Sequence, residues 1–360
     1  MSGIWGNNIK ISLFGESHGN SIGINIDGLE PGIELDLSEV YTEMSRRSPG
    51  KSLLSSKRKE SDMPDILSGY FDGKTTGTPL CAVIKNEDKK SNDYSKIKDL
   101  ARPGHADYTG YVKYNTFNDY RGGGHFSGRL TAPLVFCGAI CKQILKRKGI
   151  FIGSHIKKIN CIEDVSFDYA NISKKDLEEL KKLSIPVIDK SKAADMEKLI
   201  NYAIMSTDSV GGVVECAVVG LKPGVGDPFF DSVESVISHL MFSIPAVKGV
   251  EFGAGFGVAD MYGSECNDEF YLDKKVIKTK TNNNGGILGG ITNGMPVIFK
   301  VAIKPTPSIA KTQNTVNFKD YKEEKIAIEG RHDPCIVQRV LPVIEAATAI
   351  GIYDLLRGSI

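Results

Sequence analysis

Histidine, glycine and a chargeable neighbour recur together in three short segments of the sequence. The segments are FGESHG at 14–19, RPGHADYTG at 102–110 and GRHDPC at 330–335. Histidine exchanges protons near neutral pH, arginine binds phosphate or carboxylate, and glycine lets the backbone approach a ligand closely. This mixture indicates one active site in which an anionic substrate undergoes proton transfer.

The histidines divide into two groups by their neighbours. His155 and His239 lie in apolar or helical settings without a charged constellation, and we interpret them as structural. The others lie in glycine-rich motifs beside Arg, Glu or Asp, which favours a functional site. These site candidates are His18, His105, His125 and His332.

Arginines accompany the same motifs. The planar guanidinium group binds phosphate and carboxylate in a bidentate manner, so we expect several fixed anionic groups in the site. Glycine-rich segments at 121–129 and 282–290 offer further backbone N–H groups to a ligand, although neither matches a phosphate-binding fingerprint. The arginines close to the motifs are Arg46, Arg47, Arg58, Arg102, Arg121, Arg129, Arg331 and Arg339.

Composition narrows the classes of function. The 360 residues carry a net charge of +1 from 45 basic and 44 acidic residues, without the basic stripe of a nucleic-acid-binding protein. No apolar run approaches the roughly 20 residues that cross a bilayer, and no signal peptide is recognisable, so we expect a cytoplasmic protein. The seven cysteines form no CxxC pair, and neither a disulfide framework nor a metal site is predicted.

A weak internal repeat suggests a duplicated core. IDGLEPGIELD at 26–36 resembles VVGLKPGVGDP at 218–228, and each follows an apolar strand pattern and precedes a helical one. A second apolar strand follows in each copy, at 73–86 and at 289–305. We interpret the pattern as two strand-helix-strand units in one pseudo-symmetric core; the alternative is chance similarity between two Gly-Pro turns.

Two long apolar helices are also predicted. Residues 130–149 form a central helix that is apolar on most faces, whereas 154–206 reads as peripheral elaboration. Residues 334–357 form the second helix, with Asp333 as its N-cap and Pro334 in its first position. The GRHDPC motif would then lie at a helix N-terminus, which favours anions.

Eight segments in order resemble the chorismate synthase family over nearly the whole chain. They are FGESHG, RRSPG, RPGHADYTG, YRGGGHFSGR, SIPAVKGVEFG, NNNGGILGGITNG, KPTPSI and GRHDPC. The resemblance implies one domain over 1–360 of the α+β class, an internally duplicated β-α-β sandwich with antiparallel sheets and central helices. The pseudo-repeats would span about 22–86 and 212–305, with the peripheral segment around 154–206.

The same resemblance implies an activity. Members of the family eliminate phosphate from 5-enolpyruvylshikimate 3-phosphate by an anti 1,4-elimination to give chorismate, using reduced FMN, at the last common step of the shikimate pathway. The implied assembly is a homotetramer, with no nucleic-acid or membrane partner. Whether NADPH reduces the flavin on the enzyme or an outside reductant does so stays open.

The resemblance also assigns residues. His18 would be the acid near the departing phosphate, His105 would protonate or polarise the reduced flavin ring, and Asp333 would act through the flavin N5 position to accept the substrate proton. The implied cofactor contacts are Arg47, His125, Phe126, Ser127, Pro245, Ala246, Gly289, Lys304, Pro305, Thr306, Pro307, Ser308 and Arg331. The implied substrate contacts are Arg46, Arg47, Arg129 and Arg331.

The chain departs from the family pattern at a few positions. His125 and Phe126 stand where many members have arginine and serine, Pro245 replaces a common asparagine, and Leu53 stands where some members have arginine. These departures leave the exact flavin contacts and any nicotinamide site open.

Two other classes of function are compatible with parts of the sequence. One is a metal-dependent phosphohydrolase with ligands among His18, His105, Asp107, His332 and Asp333, although no known ligand spacing fits. The other is a flavin- or anion-binding module without catalysis.

Overall fold

Helices and antiparallel strands alternate along the chain. The computed structural model describes residues 3–50, 60–87, 97–328 and 333–358. The strands are β1 (Ile4–Trp5), β2 (Lys10–Gly15), β3 (Ser21–Asp27), β4 (Pro64–Ser68), β5 (Tyr70–Phe71), β6 (Lys74–Thr75), β7 (Leu80–Lys85), β8 (Phe151–Ile159), β9 (Ile162–Glu163), β10 (Gly212–Val219), β11 (Val247–Phe252), β12 (Phe270–Asp273), β13 (Val276–Thr279), β14 (Ile287–Leu288), β15 (Ile291–Thr292), β16 (Val297–Ile303), β17 (Gln313–Asn317) and β18 (Lys322–Ile326). The helices are α1 (Leu37–Arg47), α2 (Asp107–Lys113), α3 (Thr131–Arg147), α4 (Lys174–Leu180), α5 (Ser191–Met205), α6 (Val233–Ser243), α7 (Gly263–Cys266) and α8 (Val337–Gly358).

The structure has two five-stranded sheets whose central strands are arranged in the same way. Their orders are β1-β2-β3-β7-β4 and β11-β16-β10-β8-β9. In the first sheet β3, which precedes the first Gly-Pro turn, pairs with β7, and α1 lies between these two strands in the chain. In the second sheet β10, which precedes the second turn, pairs with β16, and α6 lies between them. The predicted α+β class with antiparallel sheets is confirmed. The single domain and the repeat bounds stay predictions, and the segment 154–206 begins inside β8, an inner strand of the second sheet.

Helices fill the space between the two sheets. α3 packs against α8 and contacts β3, whereas α8 contacts β8 and β10. One continuous apolar cluster includes residues of both sheets and these helices. As predicted, α3 is buried on nearly all its faces, and it ends just before Gly149, whose φ of +78° suits a glycine at a helix C-terminus.

β10 shows why an apolar run, broken here only by Glu215, can be a strand. Val214, Cys216 and Val218 face the cluster between the sheets. Ala217 and Val219 lie in a second cluster on the other face, covered by α4. A strand covered on both faces needs apolar residues at consecutive positions, and this explains the pattern.

The predicted start of the last helix is wrong by three residues. α8 begins at Val337, not at Pro334. The Pro334 carbonyl accepts a hydrogen bond from the Val210 N–H at 2.9 Å, and the Ile336 carbonyl accepts the first helical bonds, both at 3.0 Å. Because Pro334 is bonded to Val210, helical bonding starts later, and Asp333 lies in the segment ahead of the helix rather than at its N-cap.

The described residues also bear on the compositional expectations. All seven cysteines are free thiols, and those that are buried pack among apolar residues. Within the described ranges no helix is long and apolar enough to cross a membrane. In the same ranges no group of three or more His, Cys, Asp or Glu side chains is arranged to hold a metal ion.

Candidate active site

One large cavity lies where the two halves of the chain and the start of α8 meet. Its volume is about 910 Å³, within the roughly 300–1,000 Å³ of small-molecule sites. Arg47 and Arg129 line it from the first half, Lys304 and Ser308 from the second, and Asp333 from the segment before α8. The fold therefore gathers residues from distant parts of the chain around one ligand-sized space.

Two buried arginines form one wall of this cavity. Arg47 ends α1, and Arg129 lies two residues before the start of α3. Arg47 Nη2 donates to Asp62 Oδ2 at 2.7 Å, and Arg129 Nη1 donates to Asp62 Oδ1. Arg129 also donates through Nε to Asn86 Oδ1 at 3.0 Å, and its Nη1 lies 2.5 Å from Glu60 Oε2. One carboxylate thus joins two cationic groups.

One buried cationic donor in this wall, the Nε of Arg47, favours an anionic ligand. Burial lowers the pKa of Arg47, Asp62 opposes that shift, and Arg339 and Arg129 add to it, which leaves the pKa at about 10. Arg47 is therefore a cation at neutral pH. Its Nε is buried and has no hydrogen-bond partner among the described residues. A buried cationic donor in need of an acceptor is suited to a phosphate or carboxylate oxygen.

The glycine-rich segment Arg121–Phe126 forms another side of the cavity. Gly122, Gly123 and Gly124 have φ values of 63°, 92° and 53°, which glycine adopts readily. A Cβ at Gly122 would lie 2.3 Å from the His18 ring. His18 is buried against this loop, and it is Gly122 rather than His18 that lines the cavity.

His125 and Phe126 follow the glycines into the cavity lining. The Gly15 carbonyl accepts a hydrogen bond from His125 Nδ1 at 2.9 Å, which fixes the proton on that nitrogen. The Phe126 ring lies 6.0 Å from the Tyr114 ring, centroid to centroid. Ser127 comes next and accepts a bond from the Arg129 N–H, so the loop leads directly to the arginine wall.

The segment around His105 docks on the second half of the chain. His105 Nε2 and Ser308 Oγ share a hydrogen bond of 2.7 Å. Lys304 Nζ donates to the Gly104 carbonyl at 2.6 Å. Arg102 and Asp107 form a bidentate ion pair with distances of 2.8 and 2.7 Å, which holds the turn that carries His105. Both carboxylate oxygens of Asp107 therefore accept hydrogen bonds from Arg102.

Asp333 is tied to the arginine wall through Arg339. The Asp333 carboxylate accepts a hydrogen bond from Arg339 Nη1. Arg339 Nε donates to the Arg47 carbonyl at 3.0 Å. Arg339 lies on the first turn of α8 and lines the cavity, so it joins α8, Asp333 and the end of α1.

Most residues predicted for the site lie around this one cavity. Those that line it are Arg47, His105, His125, Phe126, Ser127, Arg129, Pro245, Ala246, Lys304, Thr306, Pro307, Ser308 and Asp333. Described residues that were predicted but do not line it are His18, Arg46, Gly289 and Pro305. Arg331 and His332, together with Arg58 and Leu53, lie outside the described residues.

Arg46 and Gly289 lie apart from the cavity for different reasons. Arg46 forms a bidentate pair with Glu345 at 2.7 and 3.0 Å, and it also pairs with Glu43 at 2.8 Å. Gly289 lies in the turn between β14 and β15, where a Cβ would meet nothing within 4 Å. The structure brings neither residue to the cavity lining.

Sequence reasoning missed several residues of the site. Asp62 and Glu60 lie in a segment with no recognisable motif, and Asn86 follows an ordinary apolar strand. Arg339 stood among the arginines near a motif but received no role. An acidic partner is expected wherever arginines are buried, yet the sequence does not indicate which carboxylate it is.

The two histidines interpreted as structural have unexpected surroundings. His239 lines the cavity and packs edge-on against Trp5, with 6.4 Å between ring centroids. His155 is fully buried, with Asp164 3.1 Å from Nδ1 and Glu215, its cross-strand neighbour, 2.9 Å from Nε2. The prediction that His155 lacks charged neighbours is therefore wrong, although its place inside the second sheet agrees with a structural role.

We expect the His155 cluster to make stability depend on pH. Burial lowers the pKa of His155, but hydrogen bonds and charges from Asp164 and Glu215 outweigh it, so the net pKa is raised. The contribution to stability is then complete below the unfolded pKa of about 6.5 and is lost as the pH rises through the folded pKa. Urea unfolding between about pH 6 and 9 should show a falling free energy of unfolding, with a slope of at most about 1.4 kcal/mol per pH unit.

His155→Gln should flatten this pH dependence, whereas His239→Gln, which leaves the cluster intact, should retain it. A His155→Gln variant with the full wild-type slope would show that another group is responsible.

The fold and the cavity together define a class of protein. A mixed helix and sheet sandwich encloses a ligand-sized cavity with buried arginines, a histidine bonded to serine, and a carboxylate beside an arginine. These features are those of an enzyme that acts on a small-molecule substrate.

Comparisons with known proteins identify the family. The chorismate synthase family model matches residues 9–356. Chorismate synthase of Thermococcus kodakarensis is 44% identical over 346 residues, covering 96% of this chain and 95% of the relative. That of Pyrococcus abyssi is 46% identical over 349 residues, covering 96% and 95%. A crystal structure of chorismate synthase superposes with a TM-score of 0.76 at 28% identity, covering 98% of this chain and 92% of that one. The chain belongs to the chorismate synthase family, whose members are lyases that act on a phosphate ester.

Proposed function

We propose that this chain catalyses the anti 1,4-elimination of phosphate from 5-enolpyruvylshikimate 3-phosphate to give chorismate, with reduced FMN as cofactor. This reaction would be the last common step of the shikimate pathway, which leads to the aromatic amino acids. The observation that carries the proposal is the cavity itself, in which a buried arginine wall adjoins both His105 and Asp333.

The charges of the proposed substrate match the arginine wall. The substrate carries two carboxylates and a phosphate, and Arg47, Arg129 and Arg339 line the cavity. The unpartnered Nε of Arg47 suits one of these anionic oxygens. Arginines held in place before the ligand arrives stabilise negative charge that grows on the departing phosphate, without reorganisation at that moment.

The cavity also has groups that fit FMN. Thr306 Oγ1 is buried and has no hydrogen-bond partner among the described residues. Near it, Lys304 supplies positive charge, and the 121–126 loop supplies backbone for close approach. We propose that these residues hold the cofactor, together with His125, Phe126, Ser127, Pro245, Ala246, Pro307, Ser308 and, outside the described residues, Arg331. Reduced FMN, when bound, supplies electron density as the carbon–oxygen bond to phosphate breaks.

The chain's own acid and base groups would manage the protons. His18 packs behind Gly122, outside the cavity lining, so its proposed role as the acid near the departing phosphate requires the 121–126 loop to shift and admit the ring to the cavity. The hydrogen bond between His105 Nε2 and Ser308 Oγ orients the imidazole, which would hold or release a proton within the cavity. Asp333, whose carboxylate accepts a hydrogen bond from Arg339, would take up the proton that leaves the substrate.

Anaerobic turnover tests the proposal directly. The purified protein, chemically reduced FMN and 5-enolpyruvylshikimate 3-phosphate are mixed under argon, and chorismate is followed by absorbance. We expect stoichiometric chorismate and phosphate. A parallel sample with oxidised FMN and NADPH reports whether flavin reduction is intrinsic to the chain.

The controls separate the other classes of function. Activity that survives a chelator argues against a metal-dependent phosphohydrolase. Flavin binding without turnover in either sample would contradict the proposal and indicate a binding module.

We further propose that the chain assembles as a homotetramer in the cytoplasm. The hairpin of β12 and β13 supports assembly, because it exposes apolar side chains that include Leu272 at 73% and Ile277 at 61%. Exposed apolar patches of this kind often mark protein interfaces. Native mass spectrometry of the sample used for turnover measures the number of subunits.

A further inference from the structure

The two arginines of the cavity wall meet at one buried carboxylate. Asp62 has no exposed side-chain surface. Its Oδ2 accepts hydrogen bonds from Arg47 Nη2 and from Ser48 Oγ, each at 2.7 Å, and its Oδ1 accepts from Arg129 Nη1. Each oxygen thus serves a different arginine, so the carboxylate sets the separation between the two guanidinium groups.

Contacts other than Asp62 hold Arg129 more firmly than Arg47. Arg129 donates through Nε to Asn86 Oδ1 at 3.0 Å and through Nη2 to the Lys85 carbonyl at 3.2 Å. Arg47 lies at the end of α1, and its Nη1 reaches the Gly128 carbonyl only at 3.4 Å. Asp62 is therefore the strongest hydrogen-bond acceptor of Arg47 among the described residues, and Arg47 depends on it for orientation.

Electrostatics requires such a bridge. Two buried guanidinium groups repel each other, and the repulsion is severe where water is excluded. Burial raises the pKa of Asp62, whereas Arg47 and Arg129 lower it, and the net pKa is lowered. Asp62 is therefore ionised at neutral pH and neutralises part of the paired positive charge before any ligand binds.

We propose that Asp62 is a positioning residue that fixes Arg47 and Arg129 as one receptor for a phosphate or carboxylate group of the substrate. Asp62 itself does not touch the ligand, because its carboxylate is enclosed by the groups that it holds. Glu60 Oε2 also lies 2.5 Å from Arg129 Nη1, but Glu60 lines the cavity and is therefore accessible to a ligand, unlike Asp62. This inference rests on the proposed function for the identity of the substrate, though not for the geometry.

Asp62→Asn should weaken substrate binding more than catalysis. The asparagine keeps the size of the side chain but removes the charge and one acceptor. We expect KM and the dissociation constant of 5-enolpyruvylshikimate 3-phosphate to rise roughly 10- to 100-fold, because misplaced arginines lose charge-assisted bonds. At saturating substrate, kcat should stay within about threefold of wild type, since the proton-transfer groups are unchanged. Asp65→Asn, an exposed aspartate three positions later, is the matched control and should leave both constants unchanged.

A double-variant cycle distinguishes positioning from a general loss of structure. Arg129→Gln should weaken substrate binding by a smaller factor in the Asp62→Asn background than in wild type. In that background Asp62 no longer positions Arg129, so less binding is left to lose. An equal factor in both backgrounds would overturn the proposal, and so would an Asp62→Asn protein with wild-type affinity.

Two further variants decide the matter if Asp62→Asn fails to fold. Ser48→Ala removes one hydrogen bond to Asp62 Oδ2 but keeps the carboxylate. Asp62→Glu keeps the negative charge but moves it to the end of a longer side chain. A rise in KM for both, without a matching fall in kcat, supports positioning; unchanged KM in both contradicts it.

Calorimetry with inorganic phosphate keeps this inference separate from the proposed function. If wild type binds phosphate but forms no chorismate, the proposed function fails. Weaker phosphate binding by Asp62→Asn would then still support the role of Asp62, and equal binding would overturn it.

Discussion

Asp333→Asn should abolish most of the activity while leaving the fold intact. An asparagine amide has almost the same shape as the carboxylate and can still accept a hydrogen bond from Arg339, but it cannot take up a proton. Removing a positioned acid or base costs roughly 10²- to 10⁴-fold in rate, and we expect a fall of that size in kcat. Anaerobic turnover with saturating reduced FMN measures it.

The binding of substrate provides the control for Asp333. The asparagine leaves Arg47 and Arg129 bonded to Asp62, so the dissociation constant of the substrate should change by no more than about threefold. An Asp333→Asn enzyme that retains wild-type kcat would show that another group accepts the proton. His105→Gln is the next variant to examine in that case, because His105 lines the same cavity.

Local sequence signals account for much of the fold. The Gly-Pro turns at 26–36 and 218–228 each follow an apolar strand and precede an amphipathic helix, and the structure has β3 and α1 around the first and β10 and α6 around the second. Strand and helix periodicity are properties of neighbouring residues, so they are visible without knowledge of tertiary contacts. The apolar helix α3 was predictable for the same reason.

Contacts between distant residues explain what the sequence did not indicate. Asp62 and Arg129 are 67 positions apart, and Arg46 and Glu345 are 299 apart. Nothing local distinguishes Asp62 from an ordinary surface aspartate. Likewise, Arg46 and Arg47 are adjacent arginines at the end of one helix, yet successive helical positions face different directions, so only Arg47 reaches the cavity.

A single backbone contact explains the error at the start of α8. Asp333 followed by Pro334 is a common sequence for a helix start, and the local pattern favoured it. The Val210 N–H, just before β10, donates a hydrogen bond to the Pro334 carbonyl, and α8 begins only at Val337. That delay places Asp333 beside Arg339 in the cavity, so the tertiary contact that defeats the local prediction also builds the site.

Glu345→Gln should strongly destabilise the fold. Glu345 is fully buried on α8, where it pairs with Arg46 from α1 at 2.7 Å and with Lys142 from α3 at 2.6 Å, and accepts a hydrogen bond from Ser154 at 2.8 Å. Burial raises the pKa of Glu345, but Arg46, Lys142 and Lys181 outweigh it, and the net pKa lies well below the usual value. Removing one partner of a buried ion pair typically costs about 3–5 kcal/mol, and we expect a loss of that order in the free energy of unfolding.

The pair of Glu39 on α1 with Lys146 on α3 gives an exposed control between two of the three helices that the Glu345 cluster joins. Its atoms lie 2.6 Å apart, as close as those of Glu345 and Lys142, but its side chains are 45% and 51% exposed. Glu39→Gln should therefore cost less than about 1 kcal/mol in urea unfolding, because exposed ion pairs are screened by water. If the two glutamine variants cost the same, the buried cluster does not clamp α1 to α8. If only Glu345→Gln lowers the free energy of unfolding strongly, the cluster holds α1, which ends in Arg47, against α8, which carries Arg339. The same buried ion pairs then stabilise the core and fix the helices that line the cavity.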